Sequence, residues 1–116
     1  MAPLTPGRIR HTVVFVLSHP EGSPEEQDFL AAAAALAAIP GVEAFEQLRE
    51  VSPKNPYRHG ISMEFADRAA YEGYNGHPDH VRFVQERWQA EVTDFLEVDY
   101  EARADSSRSP ASSASV

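Results

Sequence analysis

The alternation of hydrophobic and polar residues predicts four β-strands. The runs IRHTVVFVL, residues 9–17, and YRHGISMEF, residues 57–65, have the β-branched content and the two-residue period of strands. The runs VEAFEQLREV and VTDFLEVDY alternate well enough for two more. Because the first run is apolar on both faces in its middle, that strand should be covered on both sides.

Two helical regions lie between these strands. The motif SPEE gives serine and glutamate the spacing of a capping box and places a proline in the first turn, which predicts a helix from there to about residue 38. Phe29 lies on the stripe of this helix that should face the sheet. The second helical region should end at the Asn75-Gly76 pair in a left-handed turn, and Pro78 should open a further helix to about residue 90.

The resulting order is β-α-β-β-α-β, with the second helix broken in two. This split βαβ pattern is typical of a ferredoxin-like sandwich of the α+β class, in which helices cover one face of an antiparallel sheet with strand order 4-1-3-2. We expect residues 8–101 to form the domain. Residues 1–7 should be a flexible leader, and the Ser/Ala-rich residues 102–116 should be disordered.

The sheet face away from the helices needs a cover of its own. It would carry Val14 and Val16, and apolar side chains on a four-stranded sheet are unfavourable in water. Stacking two copies through these faces predicts a homodimer in the form of an α/β barrel. The alternative is a polar, solvated face, which Arg58, Ser62 and Glu64 favour.

Composition and charge limit the classes of function. A formal net charge of −8 opposes binding to phosphate backbones and anionic lipids, so we expect neither nucleic acid nor membrane as a partner. RNA-recognition modules share the element order but need basic and aromatic residues where the third strand presents Gly60, Ser62 and Glu64. The chain has no cysteine, which excludes disulfides and thiolate chemistry and fits a cytoplasmic location. No secretory signal or membrane-spanning run is visible.

Two histidines lie in the apolar patterns of the first and third strands. His11 shares a face with Val13, and His59 shares one with Ile61, and both faces should turn toward the helices. Since these strands are neighbours in the expected sheet, the two imidazoles could lie side by side. An unpaired buried polar group costs roughly 1–3 kcal/mol, so each imidazole needs a partner.

A tyrosine and a third histidine should meet them in one cavity. His80 projects from the helix that Pro78 opens, and Tyr74 projects from the preceding turn. An imidazole can accept a proton from a carbon between two carbonyls near neutral pH, and a tyrosine hydroxyl can donate to the resulting enolate or alkoxide oxygen. In the structural alternative, His80 only bridges backbone groups at the helix break.

The remaining polar candidates have simpler interpretations. His77 should cap the helix that follows it, and His19 should be exposed in a loop. The acidic runs PEEQD and EVDYE fit solvated faces better than general acids. His77 and His80 could chelate zinc with a strand histidine, but only Asp79 adds an acidic ligand nearby, so we expect no metal site.

The motifs that carry these candidates also indicate a family. IRHTVVF as the opening strand, IPGV after the first helix, YRHGISMEF as the third strand and YNGHPDHVRF at the helix break occur in this order. Over roughly residues 8–101 the chain resembles the stress-responsive dimeric α/β-barrel proteins, known as Dabb domains. The resemblance implies ferredoxin-like subunits whose sheets pair into a barrel.

The resemblance implies a chemistry as well. The plant polyketide cyclases of this family, such as olivetolic acid cyclase, close a ring by an aldol reaction on a poly-β-keto thioester without metal or cofactor. Their catalytic tyrosine and histidine occupy a Y-x-x-H-P-x-H segment, which makes Tyr74 and His80 the corresponding pair here. Their pocket also uses strand histidines and a helix aromatic, which His11, His59 and Phe29 match.

Two classes of function therefore compete. One is a cofactor-free, cyclase-like enzyme acting on a small hydrophobic polyoxo molecule. The other is a non-catalytic, stress-responsive dimer that binds a small ligand and whose histidines are buried and hydrogen-bonded. Ala32 stands where the cyclases carry a second helix aromatic, so the pocket should be wider or differently shaped, and the substrate does not follow from the resemblance.

Overall fold

Four strands form one antiparallel sheet in the order β2-β3-β1-β4. In the computed structural model, which describes residues 3–103, the strands are β1 (Ile9–Leu17), β2 (Glu43–Arg49), β3 (His59–Phe65) and β4 (Val92–Glu101). The central β1 pairs with β3 on one side and with β4 on the other. This is the predicted 4-1-3-2 order, and the ferredoxin-like fold is confirmed.

The helices lie on one face of this sheet. In chain order they are α1 (Pro24–Ala34), α2 (Arg68–Gly76), α3 (Pro78–Phe83) and α4 (Gln89–Glu91). A 3₁₀ turn extends α1 to Ala38, and a π-helical segment, Val84–Trp88, joins α3 to α4. The sequence analysis predicted one regular helix there. A π-helical turn contains an extra residue and is frequently found at functional sites.

Side-chain caps fix where the helices begin. Ser23 accepts a hydrogen bond from the Glu26 amide at 3.1 Å, as the predicted capping box requires. The Asp67 carboxylate accepts from the Ala70 amide at 2.8 Å at the start of α2. The first of these contacts confirms the predicted N-terminus of α1.

The end of α2 differs from the prediction. Gly76 is not in the left-handed region, and the chain leaves the helix at His77, whose φ of −66° and ψ of 137° are extended. Pro78 explains this geometry, because the proline ring disfavours a helical conformation in the residue before it. Gly41, in the turn after α1, is in the left-handed region with φ 93°.

The core lies between the helices and the inward face of the sheet. Alternate residues of β1 are buried, and the largest fully buried side chains are Phe15, Phe29, Met63 and Phe65. On the outward face, Val14 pairs with Leu96 of β4, and Leu96 is 53% exposed. This face therefore keeps an apolar centre open to solvent.

Two boundaries complete the description of the chain. Residues 1–2 of the predicted leader and residues 104–116 of the predicted tail lie outside the described residues. Within residues 3–103, no helix has the length and hydropathy needed to cross a bilayer.

At the β2 edge, a bulge between Glu43 and Glu46 holds Ala44 at φ 49°, a left-handed conformation that is unusual for alanine.

Candidate functional site

A cavity of about 350 Å³ lies between the sheet and the helices, next to the break between α2 and α3. Five of the residues selected from the sequence line it, namely His11, Val13, Ile61, Tyr74 and His80. The aromatic rings of Phe83, Trp88 and Phe95 form much of the remaining wall. The cavity is therefore mostly apolar, with a few polar groups that converge on it, as is usual for a small-molecule site.

Tyr74 and His80 form the centre of the site. Their ring centroids lie 4.4 Å apart, and Tyr74 is only 2% exposed. Among the described residues the Tyr74 hydroxyl has no hydrogen-bond partner. This oxygen is not itself fully buried, because every fully buried side-chain polar atom in residues 3–103 has a partner. Burial raises the pKa of Tyr74 well above its usual value, and the negative charge of Glu97 raises it further. The hydroxyl therefore stays protonated and can donate to a ligand.

His80 is held by the main chain at the helix break. Its Nδ1 lies 3.1 Å from the carbonyl oxygen of Asn75. Because a carbonyl oxygen only accepts, Nδ1 carries the hydrogen, and in the neutral ring the lone pair lies on Nε2. Burial lowers the pKa of His80, and nearby His11 lowers it further, against the opposing effect of the Asn75 hydrogen bond. His80 is thus a neutral proton acceptor at pH 7.

His11 is held by a carboxylate that the sequence analysis assigned to a solvated face. Its Nδ1 lies 2.6 Å from Asp99, and the Tyr71 hydroxyl donates to the other oxygen of Asp99 at 2.7 Å. Glu97 and Asp99 of the run EVDYE remain partly solvated, with side chains 48% and 36% exposed, but they lie on the face of the sheet that the helices cover. The β4 register places these residues opposite Val13 and His11, on the inward side of the sheet.

His59 does not line the cavity. The antiparallel register pairs His59 with Phe15 and His11 with Met63, so the two imidazoles are separated by about four residues, or ~13 Å, along the strands. The expectation that they lie side by side was therefore wrong. Instead the His59 ring stacks on Phe15 at 5.3 Å, and its Nε2 is 3.3 Å from Glu26.

Glu26 and Phe29 also occupy positions different from those expected. Glu26 is only 7% exposed, because its carboxylate turns back to accept from the Gly22 amide at 2.9 Å and also meets His59. Phe29 is fully buried behind the cavity, with its ring 5.9 Å from Phe15. Phe29 therefore supports the wall and does not form it.

The two loop histidines have structural partners. His77 caps α3 as predicted, since its Nδ1 accepts from the Asp79 amide at 3.1 Å. His19 was predicted to be exposed, but its side chain is only 21% exposed, and its Nε2 lies 2.6 Å from Glu91. A backbone hydrogen bond from Ser18 to Glu91 brings this loop against α4.

One group of the described residues has the spacing of metal ligands. His11, Glu97 and Asp99 each offer an atom within 4.8 Å of the others. In the structure Asp99 is hydrogen-bonded to both His11 and Tyr71. Because hydrogen bonds account for this arrangement, we assign no metal to it.

The fold and the cavity define a small ferredoxin-like α+β protein with a histidine- and tyrosine-lined pocket. The model of the stress-responsive A/B barrel (Dabb) domain family matches residues 9–102, and the chain belongs to this family. The chain has no match among curated proteins.

Solved structures extend this assignment. A Dabb family protein with a ferredoxin-like fold from Mesorhizobium loti is 58% identical, with a TM-score of 0.84 over 84% of this chain and 99% of that one. A hydroxynitrile lyase from Passiflora edulis is 18% identical, with a TM-score of 0.72 over 86% and 97%. A dimeric ferredoxin-like protein of unknown function from Thermobifida fusca is 19% identical, with a TM-score of 0.68 over 85% and 94%. The last two show similarity of fold alone.

Proposed function

We propose that the protein catalyses an aldol-type ring closure of a small polyoxo molecule, with His80 as the base and Tyr74 as the donor to the developing oxyanion. The observation that carries this proposal is a neutral imidazole beside a protonated hydroxyl that has no protein partner, both on one apolar cavity. General acid–base catalysis needs these two groups within reach of one substrate.

The reaction uses side chains alone in this scheme. His80 Nε2 takes a proton from the carbon between two carbonyls, and the enolate attacks a third carbonyl of the same molecule. The Tyr74 hydroxyl donates a hydrogen bond to the oxygen on which negative charge develops. The proton held by His80 then returns to that oxygen, so that no group is consumed. His11, oriented by Asp99, and the walls Val13 and Ile61 hold the substrate.

One of the structures with this fold belongs to an enzyme of related chemistry. The Passiflora protein is a hydroxynitrile lyase, an enzyme class that breaks a carbon–carbon bond next to a hydroxyl-bearing carbon. Ring closure by an aldol reaction makes such a bond in the opposite direction. Both carbon–carbon bond formation and cleavage of this kind need a base, and both need a hydrogen-bonding group at the oxygen whose charge changes.

We further propose that two copies stack through the outward faces of their sheets. The apolar centre around Val14 and the exposed Leu96 supports this arrangement, because a second copy would remove both from water. Leu48, on the same face of β2, is 49% exposed and would extend the buried area. The Thermobifida protein with this fold is described as dimeric.

A non-catalytic ligand-binding function is the second candidate. One observation favours it: His80 bridges to a backbone carbonyl at the helix break, as the structural alternative requires. In this case the cavity binds a ligand without converting it. Replacement of His80 would lower the stability of the protein and would have no effect on catalysis.

A cyclisation assay separates these two candidates. The probe is a linear 3,5,7-trioxo acyl thioester of N-acetylcysteamine, and the ring product is followed by liquid chromatography and mass spectrometry. We expect His80→Gln and Tyr74→Phe each to lower the rate at least about 100-fold, since a general acid or base contributes about 10²–10⁴-fold. His77→Asn keeps a good helix cap and serves as the control.

The outcomes are distinct. Ring closure that depends on His80 but not on His77 supports the enzyme. A wild-type rate equal to the uncatalysed rate, together with saturable binding of the probe, supports the binding protein. A catalysed rate that His80→Gln leaves unchanged would remove His80 from the mechanism.

A further inference from the structure

One carboxylate in the cavity wall has no role in the proposed reaction. Glu97 lies on the inward face of β4 opposite Val13, and its side chain is 48% exposed. Its carboxylate is 3.4 Å from the Tyr71 hydroxyl and 3.7 Å from His11 Nδ1, so its contacts are long. The carboxylate therefore remains available to a ligand.

The charges around Glu97 do not balance. Asp99 is the second carboxylate at this point, and His11 is the single imidazole that both face. Among the described residues that line the cavity there is no lysine or arginine. Burial raises the pKa of Tyr74, which stays protonated, and lowers the pKa of His80, which stays neutral. Two carboxylates therefore face one imidazole, so acidic groups outnumber basic groups at this point.

Aromatic rings adjoin these acidic groups. Phe95 lies two residues before Glu97 on the same face of β4, and Trp88 meets Phe95 edge-on at 5.5 Å. The electron-rich faces of aromatic rings attract cations, and a neighbouring carboxylate adds a direct ionic contact. Protein sites that bind organic ammonium groups combine these two elements.

We propose that Glu97 makes the cavity a site for ligands that carry a protonated amino group, and that it excludes carboxylates and phosphates. The inference rests on the proposed function only in placing the ligand's carbonyls at Tyr74 and His80. The amino group then lies at Glu97, beside the aromatic wall of the cavity. An amino-substituted polyketone is the substrate class that satisfies both ends.

A binding experiment tests this without turnover. Trp88 is the sole tryptophan of the chain and lines the cavity, so its fluorescence reports occupancy directly. The probes share the 1-phenylbutane-1,3-dione skeleton and carry a methyl, an aminomethyl or a carboxymethyl group at the para position. At low salt we expect the aminomethyl probe to bind about tenfold more tightly than the methyl probe, and the carboxymethyl probe about tenfold more weakly.

Variants assign the selectivity to Glu97. Glu97→Gln should bring the three affinities within about twofold of one another, and Glu97→Lys should reverse their order. Glu101→Gln is the matched control, because Glu101 lies on the same face of β4 beside Ile9 and does not line the cavity. It should keep the wild-type order. Thermal unfolding of each variant checks that it is folded.

Each result decides the question. Equal affinities in the wild-type protein, no binding by any of the probes, or a wild-type order that survives in both Glu97 variants would overturn the inference. Because the order of affinities is measured without catalysis, it can hold even if His80→Gln leaves turnover unchanged. Conversely, if the three probes do not bind in the expected order, the cyclisation assay of His80→Gln still tests the proposed reaction.

Discussion

The two imidazoles of the cavity are held by different kinds of partner. His80 donates to a backbone carbonyl, whereas His11 meets a carboxylate that also binds Tyr71. A carbonyl fixes the tautomer of the ring, and a carboxylate fixes its orientation through a charged hydrogen bond. At the scale of single residues, this difference separates the base of the proposed reaction from the group that we propose positions the ligand.

The lowered pKa of His80 predicts a pH dependence of stability. Because the pKa in the folded state lies below its value in the unfolded chain, about 6.5, the unfolded state binds the proton more readily. The contribution to stability is therefore complete above pH ~6.5 and is lost as the pH falls from there toward the folded pKa. Urea unfolding between pH 5 and 8 should show a steeper loss on the acid side for wild type than for His80→Gln. Equal slopes would contradict this assignment, and His77→Asn is the control.

The Tyr71 hydroxyl should stabilise the protein through Asp99. Replacement by phenylalanine removes the 2.7 Å hydrogen bond to this carboxylate, and a hydrogen bond to a charged group contributes about 1.5–3 kcal/mol. We expect Tyr71→Phe to lower the free energy of unfolding by about 1–2 kcal/mol, since Asp99 keeps its contact with His11. Tyr57→Phe, in the loop before β3, should change it by less than about 0.5 kcal/mol. Similar values for the two variants would show that the Asp99 contact contributes nothing.

The sequence pattern identified some residues of the site and missed others for a definite reason. Tyr74 and His80 could be selected because their spacing belongs to a local segment of chain. Glu97 and Asp99 could not, because an acidic run looks solvated until the register of β4 against β1 is known. The register of β3 against β1 was equally unknown, and for that reason the sequence analysis expected His59 beside His11.

At the scale of elements, the break between α2 and α3 creates the site. Pro78 holds His77 extended, so that Tyr74 comes from the last turn of one helix and His80 from the first turn of the next. A continuous helix would separate these residues by almost two turns. The extended residue instead brings the two rings within 4.4 Å.

The cap at this break can be tested directly. His77 accepts from the Asp79 amide, and loss of an N-cap side chain costs about 1 kcal/mol. His77→Ala should therefore lower the free energy of unfolding by about that amount, whereas His77→Asn should preserve it. Denaturant unfolding at pH 7.5 measures both variants. A loss of equal size in the two variants would mean that the cap contributes nothing.

The elements themselves were largely predictable, and their irregularities were not. Capping motifs and alternation are local signals, so the helix starts and the strand positions followed from the sequence. The π-helical segment Val84–Trp88 and the bulge at Ala44 each depend on one residue that does not fit the regular repeat. A hydrophobic pattern does not reveal an extra residue in a helix or strand, because tertiary packing determines where that residue is accommodated.

At the scale of the whole molecule, the proposed dimer depends on the apolar centre of the outward face. Leu96→Glu would place a charge at this centre, and we expect it to give a monomer by light scattering coupled to gel filtration. Val81→Glu changes an exposed residue of α3 on the opposite side and should stay dimeric. A dimeric Leu96→Glu variant would place the interface elsewhere.

The bulge in β2 has a consequence for uncontrolled assembly. β2 forms one edge of the sheet, and such edges can recruit strands from other molecules and start fibrils. With Ala44 out of the regular ladder, the first half of this edge cannot offer an even row of donors and acceptors to an incoming strand. We therefore expect the irregularity to oppose aggregation of the protein along this edge in concentrated solution.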